Sequence, residues 1–511
     1  PDPEHPDFYN ENRTATITIT ERNFNPEDVE YLITNTDRVV PVISGWTSRI
    51  DRTNPDLSTH TATISYTQDG DYTFDISFKD IAGNQAAAYA QDSFTIDKTK
   101  PVINVAYDTN NAMNGNYFNT ARTATISVTE HNFDPSRIVI TGTAMDDGNE
   151  VAFPTISGWA SNGDVHTAMI AYQTDALYSF DIDYMDMAGN LADDFAPQEF
   201  YVDLTEPELS ITGVEDLSAN NGEVAPVITY SDTNFDENGV TIELVGANRG
   251  PVDIEGSFSD STNGQVFTFD NFAELKENDD LYTLSATIVD LAGNEKREEI
   301  RFSVNRFGSV YVFDESLEKI VGKFVQEEQD IILTETNVDR LIDGSISIKM
   351  MYNGSPTDLV EGEDYTVTET SGQGQWSQYT YTIHKELFEG DGRYSIAIYS
   401  EDKAGNINEN IDETKRAEIS FGIDKTNPVI APIDIEDDKQ YPVDVKTATI
   451  SIKDNLVLDQ VKINLNDEEV DFIVDGDNYS FEIPNSNSTQ DVVIVATDAA
   501  GNELTTEVND I

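Results

Sequence analysis

The sequence predicts an all-β chain of five tandem antiparallel β-sandwich domains arranged as an elongated rod. The first observation behind this is a pentapeptide, Asp-x-Ala-Gly-Asn, that begins at Asp80, Asp186, Asp290, Asp402 and Asp498. Its copies lie 106, 104, 112 and 96 residues apart, which is one compact domain per period. The second is strict alternation of apolar and polar residues around each copy, in segments rich in Thr, Ile, Val, Tyr and Phe, as half-buried strands require. The third is that no window of comparable length has a helical period with capping residues.

The strands recur in a constant order. Early in a unit stands "RTATITITERNFNP" from Arg13, "RTATISVTEHNFDP" from Arg122 or "TATISIKDN" from Thr447. Units one and two then share "PVISGW" and "PTISGW". Next comes "YTFDISFKDIAGN", matched by "YSFDIDYMDMAGN" and "YSIAIYSEDKAGN", and last a strand running into Asp-Lys-Thr-x-Pro or a variant of it. In unit two the strands read as 102–107, 122–130, 137–143, 151–157, 166–173, 177–186 and 197–203. Seven short strands in about a hundred residues is the pattern of an immunoglobulin-like sandwich.

Unit boundaries follow from the prolines. Pro101, Pro207 and Pro428 cannot continue a central strand and suit the entry to a new domain. The domains read as 1–99, 100–205, 206–306, 307–426 (enlarged) and 427–511. Linkers this short imply consecutive domains in contact. Unit one has no counterpart of "VINVAYD" and is expected to lack its first strand. The opening "PDPEHPDFYN", without an initiator Met or a signal-like start, reads as part of something longer.

Charge narrows the partners. Against 96 Asp and Glu stand 30 Lys and Arg, a formal charge of -66. Such a surface repels phosphate backbones and anionic headgroups and favours divalent cations, so neither nucleic acid nor a membrane surface is an expected partner. No apolar run approaches a membrane span. With no cysteine, neither disulfides nor thiolate metal sites can form. An amide staple between Lys and Asn is excluded between Lys100 and Lys276, where there is no lysine.

The string Tyr-x-Phe, Asp-x-Ala-Gly-Asn, Phe-x-Ile-Asp-Lys-Thr-x-Pro resembles the tandem bacterial Ig-like domains of large surface proteins and adhesins. The likeness covers nearly the whole chain, and is weakest in unit three, where "SVNRFG" replaces "IDKTKP", and in the longer unit four. It implies an extracellular setting, on a bacterial cell surface or secreted, and a segment that is monomeric within a longer chain. Surface adhesins of this kind place calcium at domain junctions.

Each pentapeptide reads first as a tight turn between the last two strands, with Gly supplying positive φ and Asp accepting turn amides. In a sandwich that turn shares a pole with the linker from the preceding domain. The first junction would then gather Asp97, Glu130, Asn132, Asp134, Asp186 and Asn190, and the second Asp203, Asp232, Asn234, Asp236, Asp290 and Asn294. The fourth would gather Asp424, Asp454, Asn455, Asp498 and Asn502. Carboxylates converging without a lysine call for a hard cation, and calcium, with six to eight oxygen ligands, is the expected cofactor. At the third junction Asn305-Arg306 stands where the others have Asp followed by Lys or Leu, so a bend or hinge is expected there instead of a cation.

No catalytic motif appears on a suitable frame, and the five histidines have no zinc spacing, so an enzyme is not expected. Trp46 and Trp159 follow the matched "ISG" and read as semi-buried core. Tyrosines in the "YTF" and "YSF" strands read as corner residues that bond through the hydroxyl. Trp376, in the enlarged unit, is the candidate ligand-binding residue. The favoured function is a non-enzymatic stalk that holds a functional region away from the cell. The alternatives are an adhesin module that recognises a host glycan or a host protein such as mucin or immunoglobulin, and a spacer of a secreted carbohydrate-active enzyme.

Overall fold

The computed structural model describes residues 4–36, 38–370 and 375–511. Among these residues ten sheets form five pairs, whose strands fall within residues 8–96, 102–202, 208–304, 310–423 and 429–508. Each pair encloses its own apolar cluster. In unit two the inward residues of Val165–Tyr172 and Ala176–Tyr184 alternate with outward ones, and bring Ile170, Tyr172, Tyr178 and Phe180 into one core. That alternation is the pleat expressed as burial.

One sheet of unit two runs Ala160–Asn162, Val165–Tyr172, Arg122–Thr129, Val102–Tyr107, all antiparallel. The other places Tyr117–Phe118 in parallel beside Gln198–Val202, followed by Ala176–Tyr184, Ile138–Asp146 and Asn149–Val151. The chain therefore enters on one sheet and crosses to the other before its second long strand. Phe8–Tyr9 and Phe324–Val325 make the same short parallel pairing in units one and four.

Two expectations about elements change. The single strand read over 151–157 is broken: Asn149–Val151 pairs with Ala144–Asp146, and beyond it only an isolated Ile156–Ile170 bridge remains. Pro154 has no amide to give a ladder, and the Phe153 ring lies against the face of Gly142, where a Cβ would come within 2.4 Å of it. The chain also contains a short α-helix, Glu315–Ile320, in the enlarged unit four. Asp314 caps it by accepting the Leu317 amide, and Leu317 and Ile320 are its buried face.

Candidate metal centres at the domain junctions

Five times the pentapeptide folds into the same closed turn. The Asp amide donates to the Asn carbonyl at 3.0–3.1 Å, and one carboxylate oxygen accepts the Asn backbone amide at 2.7–2.9 Å. The Asn side-chain amide donates back to the same carboxylate. The glycine sits at φ between 87° and 91° in all five copies, in the left-handed region that admits glycine without strain.

What distinguishes the four downstream copies is a second use of that Asn. Asn190, Asn294, Asn406 and Asn502 also donate to a backbone carbonyl of the preceding linker, at Asp97, Asp203, Asn305 and Asp424, over 2.7–3.0 Å. The turn thus latches each domain onto the linker before it. Among the described residues, Asn84 in unit one bonds only within its own turn, and it is exposed.

The linker is gripped from the other side as well. Asp69, Asp175 and Asp391 each accept the amide of the residue after the linker Asp and the hydroxyl of the linker Thr. Asp279 accepts the amides of Arg306 and Phe307 in the corresponding place. Each of these acids stands three residues before a tyrosine whose hydroxyl donates to the carbonyl four residues back. The tyrosine corner was legible in the sequence. The Asp-x-x-Tyr spacing that marks the clamp is the sequence signal for it.

These grips bring carboxylates together. Asp97, Glu130 and Asp186 form one group, Asp203, Asp232 and Asp290 a second, and Asp424, Asp454 and Asp498 a third, with ligand oxygens inside each group all within 4.8 Å of one another. Among the described residues none of the nine makes an ion pair with Lys, Arg or His. Burial pushes Glu130 up to about 8, with Asp97 and Asp186 adding to it. Burial likewise raises Asp232 to about 6, and raises Asp186, Asp203 and Asp424. The donor set fits a hard divalent cation: three carboxylates around one point, no competing cation and no nitrogen or sulfur ligand.

The amides lie at the edge of each group. Asn132, Asn234 and Asn455 donate to the linker carboxylates of Asp97, Asp203 and Asp424. Asn190 belongs to the site as the latch to Asp97 and as a donor to Asp186. Asp134 and Asp236, expected as ligands, stand outside. Each caps a 3-10 turn, Asp134 accepting the Ser136 amide and Asp236 the Asn238 amide. In each Asn-Phe-Asp run the Asn turns to the linker carboxylate, while the Asp, two residues on, is taken up by the 3-10 turn that leads into the next strand.

The third junction is closed by hydrogen bonds instead of opening as a hinge. The Asn305 side-chain amide, fully buried, donates to Asn337 Oδ1, Asp339 Oδ2 and Asp402 Oδ2 at 2.9–3.1 Å. Arg306 reaches back to the carbonyls of Gly222, Phe272 and Ala273. Trp376 is half-buried, and its indole N–H donates to Asp280 of the preceding unit at 2.8 Å. That contact commits the indole edge to the junction, while the adjoining "SGQG" lies outside the described residues.

A pair of histidines not singled out in the sequence completes the picture. His60 and His166 occupy equivalent places and stack on Phe24 and Phe133 at 4.1 and 4.0 Å. Nδ1 accepts from the hydroxyl of Ser48 or Ser161, and Nε2 bonds the carbonyl of Glu21 or Glu130. His166 therefore braces the Glu130 loop from beneath. Trp46 and Trp159 are half-buried against the cores of units one and two.

Residues 58–163 match the family described as "Bacterial Ig-like domain (group 3)". The matched stretch runs from the second half of unit one across the first junction into unit two. No curated protein matches the chain. Among solved structures, the N-terminal eight Ig domains of Down Syndrome Cell Adhesion Molecule align at 11% identity, covering 92% of this chain and 68% of that one, with a TM-score of 0.26. The protocadherin GammaB4 extracellular domain aligns at 10%, over 94% and 76%, with a TM-score of 0.24. The titin I9-I11 tandem aligns at 13%, over 59% and 98%, with a TM-score of 0.21. At these scores the solved structures lend the argument nothing further. The family match thus covers residues 58–163, and the paired-sheet sandwich found on either side of the junction they span recurs in the rest of the chain.

Proposed function

We propose that the chain is a non-enzymatic extracellular spacer of a bacterial surface protein, which projects a functional region from the cell and holds calcium at three of its four domain junctions. One observation carries the reading. Wherever the linker residue is Asp, two further carboxylates converge on it, and where it is Asn the same point is closed by amide hydrogens. A spacer needs fixed angles between domains, and grips on both sides of each linker supply them.

In this reading the linker Asp, the acid of the loop after the second strand and the pentapeptide Asp hold the ion, while the pentapeptide Asn keeps the linker in place. The ion would supply the positive charge that these buried carboxylates otherwise lack. Calorimetric titration of the chelator-treated chain is expected to show three calcium ions per chain, and two in the Asp203→Asn variant. Absence of binding at millimolar calcium would sink the metal part of the proposal. The spacer part is tested separately, by assaying surface display of the region that the chain carries after one unit is deleted.

A further inference from the structure

Between units two and three lies a cleft of about 660 Å³, within the roughly 300–1,000 Å³ of ligand sites at domain interfaces. Its floor is a row of side chains at one level on a unit-two sheet: Tyr117 pairs with Tyr201, Tyr201 with Leu177, and Leu177 with Met145. Each alternates with a buried neighbour, Phe118, Phe200, Ala176 or Ala144, so the row faces away from the core. The Tyr117 and Tyr201 rings stack with centroids 4.2 Å apart and planes 5° from parallel. Phe235 and Leu291 line the cleft from unit three.

Beyond Met145 the chain turns. Asp146 pairs with Asn149, and Asp147 and Gly148, at φ 44° and 75°, make the two-residue turn that such angles fit. Asp146 and Asp147 are thereby held exposed at the end of the row opposite the tyrosines. No Lys, Arg or His lines the cleft, and among the described residues neither acid makes an ion pair. Asp175, by contrast, is committed to the Leu204 amide and the Thr205 hydroxyl. The third junction supplies a comparison within the chain. Its corresponding cleft is about 210 Å³. There Ser303 pairs with Leu281 as Tyr201 does with Leu177, and the matching turn carries Asn248-Arg249 in place of the two acids.

We propose that the cleft between units two and three receives an extended basic segment of a partner protein, with arginine at two positions two residues apart. Residues at that spacing in an extended chain point the same way. One guanidinium stacks on the tyrosine pair and the other donates to Asp146 and Asp147, while their methylene stems lie on Leu177 and Met145. Arginine suits the site better than lysine, because its plane both stacks and forks towards carboxylates. A chain of formal charge -66 draws such a segment in. Calcium gathers six to eight oxygens around one point, and Asp146 and Asp147 stand outside the carboxylate group of this junction. The segment takes nothing from Asp203 or Asp232, so this site and the junction metal stand or fall separately.

The test uses the full chain and a fluorescently labelled peptide, Gly-Arg-Ser-Arg-Gly with blocked ends, read by anisotropy at about 0.15 M salt. One saturable site is expected, weakened about tenfold or more by Asp146→Asn with Asp147→Asn, by Tyr201→Ser, and by lysine in place of both arginines. Glu468→Gln with Glu469→Gln removes two charges from an exposed hairpin of unit five and is expected to leave the affinity unchanged. Absence of saturation, or an equal loss in the two double variants, would overturn the proposal in favour of diffuse attraction to an acidic surface. Equal binding of the lysine peptide would overturn the stacked guanidinium. The affinity is expected to be the same in chelator and in millimolar calcium. Loss of binding in calcium would overturn the proposal by placing the peptide on the junction carboxylates.

Discussion

The side-chain amide of the pentapeptide Asn has two hydrogens and two obligations, one to its own Asp and one to the preceding linker. Removing it from a covered turn leaves a buried carboxylate and a buried carbonyl each short of a donor. Asn502→Ala is therefore expected to cost about 1–3 kcal/mol, read as a lower denaturant midpoint, because Asn502 and Asp498 are both buried at the fourth junction. Asn84→Ala, in the exposed first copy, is expected to change the midpoint by about 0.5 kcal/mol or less. The histidine brace makes a parallel case. His166→Ala is expected to lower calcium affinity at the first junction about tenfold with no change in stoichiometry, checked by the same titration, because it frees the Glu130 loop without removing a ligand.

At the scale of the element, each linker is held from both sides, by the pentapeptide Asn of the domain that follows and by the Asp of the tyrosine corner in the domain before. The four linkers differ: Asp at three junctions, and at the third an Asn whose amide fills the point where the others gather carboxylates. That junction has a pH dependence of its own. Burial raises Asp339, with Asp402 and Asp279 adding to it against bonds from Asn305 and Ser303. A carboxyl whose folded pKa lies above its unfolded value of about 3.9 favours folding fully below that value, and its contribution is lost as the pH rises through the folded one. Asp339→Asn keeps an acceptor for Ser303 and Asn305 and removes the titration. The melting midpoint of the variant relative to the parent chain is therefore expected to rise as the pH is taken from about 4 to about 8.

How far these elements were legible depended on whether a signal was local or shared between distant residues. Period-two alternation, linker prolines and the five pentapeptides exposed the sandwiches and put the junction acids side by side. Pro154 stands inside the strand read over 151–157, and the missing amide outweighs the alternation around it. The exclusion of Asp134 and Asp236 was less accessible, since an Asp before a 3-10 turn looks the same as one facing an ion until the turn closes. The hydrogen-bonded seal at Asn305 was hidden for a different reason: its partners Asn337, Asp339 and Asp402 come from segments 32 to 97 residues away.

For the whole molecule, four junctions of two chemical kinds stand in series. If three hold calcium, chelation is expected to increase the range of interdomain distances in solution, seen by small-angle scattering as a broader pair-distance distribution. A distance measured between labels on units three and four is expected to stay the same in chelator and in calcium. A single averaged change shared by all four junctions would contradict the distinction drawn here between acidic and amide linkers.

The Asn305 junction has a consequence for how such a chain carries tension. With ions withdrawn, the acidic joints would yield first under a pull from the ends, while units three and four travelled together as one link of double length. The place where the string breaks its own repeat would then be its strongest knot, and the calcium of the surrounding fluid would tune how much slack lies on either side of it.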